Sequence, residues 1–199
     1  GGQVFTTTRA GVLRFKAPAS FWVDSNRKRY VPATGDTVIG VVSERMTEFY
    51  RVRLNASSSA QLPVLAFQGA SKRNRPDLNV GTLVYARVVL ARKELEPQLT
   101  CEAASSMGVV KDWMTGESIF GELKGGYALR CSQSLARRLL DPACPVLAAL
   151  GAAVPFEMAV GANGVVWVKA GSARDTVVVA SAIKDSEFLD AAAATSLVA

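Results

Sequence analysis

Histidine is absent from this 199-residue chain. That removes the commonest general base, the usual nitrogen ligand for metals, and the partner that activates a serine or cysteine nucleophile. An enzyme built on this sequence would have to work with carboxylates and lysines. Cysteine is scarce: Cys101, Cys131 and Cys144 are odd in number, widely spaced and free of any Cys-x-x-Cys pair. This argues against a disulfide framework or a thiolate zinc site and fits a reducing compartment. No stretch reaches the roughly 18 consecutive apolar residues of a membrane-spanning helix, so no membrane partner is expected. The polar, strand-like opening shows no secretory signal, and Gly1-Gly2 read as the edge of a fragment, so part of the natural N-terminus is expected to be missing.

Carboxylates do not fill the gap left by histidine. Glu94 and Glu96 alternate at a strand end, and Asp185, Glu187 and Asp190 sit near the last helical segment, but no second set converges on either group. They read as solvated charges, so no catalytic residue, metal or cofactor is expected.

What the chain does have is apolar bulk and positive charge. Hydrophobic residues make up 49%, enough to bury the core of one large or two small domains. Twenty-three basic against 17 acidic residues give a formal charge of +6, which draws an anionic partner and makes nucleic acid the leading candidate. On charge alone, a basic protein with no specific acidic partner stays open.

The pattern of short apolar segments divides the chain into three. Residues 1–29 read as a partial N-terminal β domain, with Val12, Phe15, Phe21, Trp22 and Val23 as its apolar positions and Asp24-Ser25-Asn26 as a turn. Residues 30–105 hold five expected strands, Thr37 to Arg45, Glu48 to Asn55, Gln61 to Gln68, Thr82 to Lys93 and Gln98 to Ala103. Five short strands with turn signals between them suggest a closed barrel of the OB type. Between the third and fourth lies a polar loop in which Lys72, Arg73 and Arg75 put three cations in four positions. That is a natural arm for phosphates, or else a solvated surface loop.

From 106 onward the periodicity changes. A glycine-rich stretch from Gly116 to Gly126 separates the barrel from the C-terminal third of the chain, with Trp113 and Phe120 expected to pack at the junction. Tyr127 to Cys131 reads as a strand, Ser132-Gln133-Ser134 offers a cap for a helix with Leu135, Leu139 and Leu140 on one face, and Val146 to about Ala152 forms a second helix. Two strands then meet at a tight turn built on Gly161, Asn163 and Gly164, where Asn163 and Gly164 both tolerate positive φ. A final helix, capped by Asp175, turns Val178, Val179, Ala182 and Ile183 inward. Strand, helix, helix, strand, strand, helix is the order of a eukaryotic-type KH domain. The fold class is multidomain, β plus α+β.

Four stretches carry a family resemblance: Phe21-Trp22-Val23-Asp24-Ser25 with Lys28-Arg29-Tyr30-Val31-Pro32; Gly35-Asp36 with Val38-Ile39-Gly40; Phe67-Gln68-Gly69-Ala70-Ser71-Lys72-Arg73-Asn74-Arg75-Pro76; and Gly161-Ala162-Asn163-Gly164 with Trp167-Val168-Lys169-Ala170. On these the chain resembles the exosome cap subunits of the ribosomal RNA-processing protein 40 (exosome component 3) family. The resemblance covers nearly the whole chain. It implies an N-terminal β domain, here only partial, then a central S-one barrel and a C-terminal KH domain. It also implies a non-catalytic cap on a ring of RNase PH-like subunits, beside other cap subunits, guiding RNA toward separate 3′-to-5′ nucleases in the nucleus, nucleolus and cytoplasm. A free-standing RNA-binding factor in RNA maturation or translation is the alternative.

The residues narrow which parts touch RNA. A KH domain grips backbone phosphates with Gly-x-x-Gly between its first two helices, but here that slot is Asp141-Pro142-Ala143-Cys144, without glycine and with a negative charge. The KH unit is therefore expected to be a packing and interface module. Of the barrel aromatics Phe49, Tyr50, Phe67 and Tyr85, only one of the first two can face outward, and Phe67 reads as core. RNA binding is expected to be electrostatic, sequence-tolerant and centred on Lys72, Arg73 and Arg75. The C-terminal Ala191 to Ala194 and Leu197-Val198 need a surface to pack on or else fray.

Overall fold

Alternation of buried and exposed residues from Thr37 onward organises the centre of the molecule. In the computed structural model, which describes residues 6, 8, 10–25, 29–103, 118–142 and 144–189, strands β1 (Val12–Lys16) and β2 (Ser20–Asp24) form an antiparallel hairpin with Phe15 opposite Phe21. Their rings are 4.7 Å apart. The turn expected at Asp24-Ser25-Asn26 runs into residues 26–28, outside the described residues.

Five strands follow: β3 (Thr37–Arg45), β4 (Phe49–Arg53), β5 (Ala60–Pro63), β6 (Leu83–Leu90) and β7 (Gln98–Thr100). They pair in the order β3-β4-β5-β7-β6, and β6 closes on β3 to make a five-stranded barrel. Only the β5–β7 contact is parallel. A short strand β8 (Gly121–Glu122) adds to the outside of β6. Val38, Val52, Leu62, Val84, Val88 and Leu99 fill the interior.

Several strands are shorter than their apolar runs, for local reasons. β4 ends because Asn55 adopts a left-handed conformation with φ 61°, which asparagine tolerates better than most residues. β5 stops at Pro63, whose carbonyl accepts the Ala66 N–H in a turn at 3.0 Å. Phe67, buried as expected, touches Cys101 only through an isolated bridge. Phe120 is buried in the barrel cluster, its ring 5.0 Å from that of Tyr85. Trp113 lies outside the described residues.

The last unit runs β9 (Tyr127–Arg130), α1 (Gln133–Leu139), α2 (Pro145–Ala153), β10 (Phe156–Gly161), β11 (Val165–Ala170) and α3 (Ala173–Asp185). Its sheet is antiparallel with β11 in the middle. Ser132 caps α1 as expected, its hydroxyl accepting the Leu135 N–H at 3.1 Å. Leu140 leaves the apolar face: it is the C-cap and is exposed, while Ala136 joins Leu135 and Leu139 inside. Ser172, not Asp175, caps α3, accepting the Asp175 N–H and donating to the Asp175 carboxylate at 2.7 Å. Thr176, Val179, Ala180 and Ile183, at i, i+3, i+4 and i+7, share one face of the helix and turn inward. Val178 is therefore exposed, contrary to the expected pattern, and Ala182 is only half-buried.

Candidate nucleic-acid interface

The cationic loop is an arm fixed at both ends. Tyr50 points into the barrel's edge, and its hydroxyl donates to the Pro76 carbonyl at 2.8 Å while accepting the Leu78 N–H at 3.4 Å. Pro76 and Leu78 are buried, so the chain just after the cations is pinned to the wall. Around the first two cations, Ser71 and Asn74 exchange backbone hydrogen bonds, 2.8 Å from the Ser71 N–H and 3.1 Å from the Asn74 N–H, to form a tight loop. Lys72 and Arg73 stand exposed at its tip. Arg75 reaches back to the Thr47 carbonyl at 3.4 Å, and Arg45 pairs with Asp77 beneath. Neither Lys72 nor Arg73 forms an ion pair among the described residues, which leaves both charges directed at solvent and available to an anion.

The aromatics sort by alternation. Tyr50 and Phe67 are core, Tyr85 is half-buried against Phe120, and Phe49 is the half-buried one of its pair. The Tyr50 hydroxyl was not among the sequence-derived functional residues, because nothing in the sequence says which carbonyl it will meet.

In the KH unit the connection between α1 and α2 is unlike a phosphate grip. Asp141 and Pro142 are exposed, Ala143 lies outside the described residues, and the Cys144 N–H is taken up by the Asp141 carbonyl at 3.0 Å. Pro145 occupies the first turn of α2 and brings no N–H of its own. Among the described residues of this connection, the Asp141 and Cys144 N–H groups are bonded to carbonyls of α1 and of the connection itself, and Pro142 and Pro145 have none to offer.

The hairpin carrying Gly161, Asn163 and Gly164 departs from the two-residue turn expected. Gly161 pairs with Val165, leaving a three-residue loop closed by the Gly164 N–H on the Gly161 carbonyl at 3.0 Å. Gly164 takes positive φ, at 76°, and Asn163 does not. This is a turn followed by one left-handed residue, the next commonest hairpin solution. Asn163 is freed for another task. Its side chain is buried against the barrel, where Nδ2 donates to the carbonyls of Ile39 at 2.8 Å and Leu54 at 2.9 Å, and Oδ1 accepts the Ile39 N–H at 3.3 Å. The Ala162 N–H also donates to the Thr37 carbonyl at 2.8 Å. Ile39, Ala159 and Trp167 form a small apolar cluster at the same junction.

The thiols and several carboxylates are engaged within the fold. Burial pushes the Cys131 thiol up to about 11, with Glu187 adding to it, and burial raises Cys101 as well, so both stay protonated near neutrality. Glu96 accepts from Gln61 at 2.7 Å and Glu187 from the Ser132 N–H at 3.2 Å. Asp190 lies outside the described residues.

A sequence-family model of the S1 domain of exosome complex component RRP40 matches residues 30–109, and one of the KH domain matches residues 126–174. Exosome complex component RRP40 of Drosophila melanogaster is 45% identical over 180 residues, 90% of this chain and 74% of that protein. This chain belongs to the RRP40 family. Other RRP40 proteins agree: that of Saccharomyces cerevisiae is 40% identical over 88% of the chain and 72% of its own length, and that of Homo sapiens 35% over 94% and 68%. The fold is shared more widely. A solved chain described as a candidate exosome complex RNA-binding protein superposes with a TM-score of 0.66 at 20% identity, over 85% of this chain and 95% of its own. The RRP40 barrel and the KH domain are thus both present, joined through Asn163.

Proposed function

We propose that this chain is a non-catalytic RNA-binding cap subunit of the RNA exosome, which stabilises the ring and guides RNA into the channel for 3′-to-5′ processing and degradation by other subunits. Membership of the RRP40 family across most of the chain carries this reading. Lys72, Arg73 and Arg75 are its RNA contacts, held by Tyr50 on a fixed arm, and the KH unit is an interface module whose glycines serve the hairpin. RNase PH-like ring subunits and other cap subunits are its partners, in the nucleus, nucleolus and cytoplasm. The proposed units are an N-terminal β segment over 1–29, the S-one barrel over 30–105, and the KH domain with its connection over 106–199. A chain without histidine, in which burial holds the Cys101 and Cys131 thiols protonated, supports the absence of catalysis.

The test is affinity capture of the tagged chain from cell extract at moderate salt with nuclease added, followed by mass spectrometry. Recovery of a stoichiometric set of RNase PH-like proteins is expected. Loss of every partner on nuclease treatment would overturn the cap role in favour of a free RNA-binding factor.

A further inference from the structure

A second cationic site lies where the barrel and KH unit meet, away from the Lys72 arm. Residues from both units enclose a cavity of about 500 Å³. Its charged lining consists of Arg53 and Arg130, with no carboxylate among the lining residues. Both arginines are exposed, and neither forms an ion pair or a side-chain hydrogen bond among the described residues. Strand register explains their convergence. Arg53 ends β4 opposite Val41 of β3, Arg130 ends β9 opposite Val165 of β11, and the Asn163 hairpin docks β10 and β11 onto β3. Asn55, with its left-handed backbone, then turns Ser57, Ser58 and Ser59 into the rim as hydroxyl donors, while the half-buried Val41, Leu83 and Val165 provide an aliphatic wall.

Two unpaired guanidiniums, a hydroxyl rim and one apolar wall suit a phosphodiester flanked by a flat, uncharged body. We infer that this cleft binds a nucleotide of single-stranded RNA, its phosphate on Arg53 and Arg130 and its base or ribose against the wall of Val41, Leu83 and Val165. An acidic peptide would satisfy the arginines too, but it would bring its charged side chains against the aliphatic wall, where the nucleobase is the better fit. The cleft makes the junction between the two units an RNA-contacting surface, even though the KH helices lack a grip of their own. This rests on the RNA-guiding function proposed above.

The experiment measures binding of fluorescein-labelled oligouridylate to the full chain by anisotropy across a salt series. Wild type is compared with Arg53→Gln/Arg130→Gln and with Lys72→Gln/Arg73→Gln/Arg75→Gln. The double variant should bind about tenfold more weakly at low salt, with the slope of log affinity against log salt reduced by about 0.7, the value for one phosphate contact to a single strand. A wild type that binds no oligouridylate overturns the RNA-guiding reading and the cleft with it. A double variant indistinguishable from wild type, while the triple variant weakens, overturns the cleft alone. Hydrogen exchange on the same samples gives a second readout: protection of residues 54–59 by oligouridylate supports the site, and protection by polyglutamate but not by oligouridylate overturns it in favour of an acidic peptide.

Discussion

Asn163 pairs with Ile39 as though it were one more residue of the barrel's ladder, donating to its carbonyl at 2.8 Å and accepting its N–H at 3.3 Å across 124 positions of sequence. A third bond to the Leu54 carbonyl completes the attachment. Replacing Asn163 with Ala would strand two carbonyls and one N–H in a buried junction. A loss of about 2–4 kcal/mol in unfolding free energy is expected from unpaired buried groups of this kind. Urea denaturation of Asn163→Ala measures it, and a change below about 0.5 kcal/mol would mean that water replaces the amide without cost.

Glycine requirements separate cleanly along the KH unit. A methyl at Gly161 would run into Asn163 Oδ1 and sit 2.7 Å from the Ile39 nitrogen, and one at Gly164 would lie 2.6 Å from the Cys131 carbonyl on a backbone with φ 76°. Each Gly→Ala change there should cost about 2 kcal/mol or more, since backbone must move to admit it. At Gly151, inside α2, nothing lies within 4 Å of the added methyl. Gly151→Ala should stabilise by about 0.5–1 kcal/mol through helix propensity alone. Thermal melts of the three variants should therefore move in opposite directions.

For the cationic arm, charge and anchoring can be read apart. Lys72→Gln/Arg73→Gln/Arg75→Gln removes three charges and should lower the salt slope of single-strand binding by about 2. Tyr50→Phe keeps every charge but unpairs the Pro76 carbonyl. It should cost about 1–2 kcal/mol of stability and weaken RNA binding about two- to fivefold through loss of preorganisation, leaving the salt slope unchanged. A slope that fell in Tyr50→Phe would show that the arm presents its cations only when pinned.

Alkali should unfold the protein sooner than its core suggests. Burial lifts Cys131 from its ordinary 9.0 to about 11, and burial also raises Cys101 and Tyr30. The unfolded chain ionises these groups first, so the stability drawn from keeping Cys131 neutral is whole below about pH 9 and lost as pH climbs toward 11. Urea midpoints should fall between pH 8 and pH 10.5, less steeply in Cys131→Ala; equal slopes would remove Cys131 from the account.

Much of the fold was legible because strand alternation and helical periodicity are local. The five barrel strands, the Ser132 cap and the core role of Phe67 depend on neighbours within a few residues. What escaped depends on phase and partners. Val178 was misplaced because it neighbours Val179 in sequence, whereas successive helical residues point about 100° apart, and the stripe of Thr176, Val179, Ala180 and Ile183 leaves Val178 outside it. Asn163 looked like turn chemistry, since Asn-Gly is the commonest signal for a tight hairpin, and its true partners are carbonyls more than a hundred residues away. Lys72, Arg73 and Arg75 were visible as a charge run, but their support by Tyr50 was not.

The Asn163 attachment is lopsided: one side chain on the KH side meets only main chain on the barrel side. Main-chain atoms are the same whatever residue carries them, so sequence drift at position 39 or 54 leaves the hydrogen-bonding partners in place as long as the barrel keeps its shape. Heredity can therefore break this joint through position 163 far more readily than through its receptor. A search for compensating changes would have nothing to alter on the barrel side except the path of the strand itself.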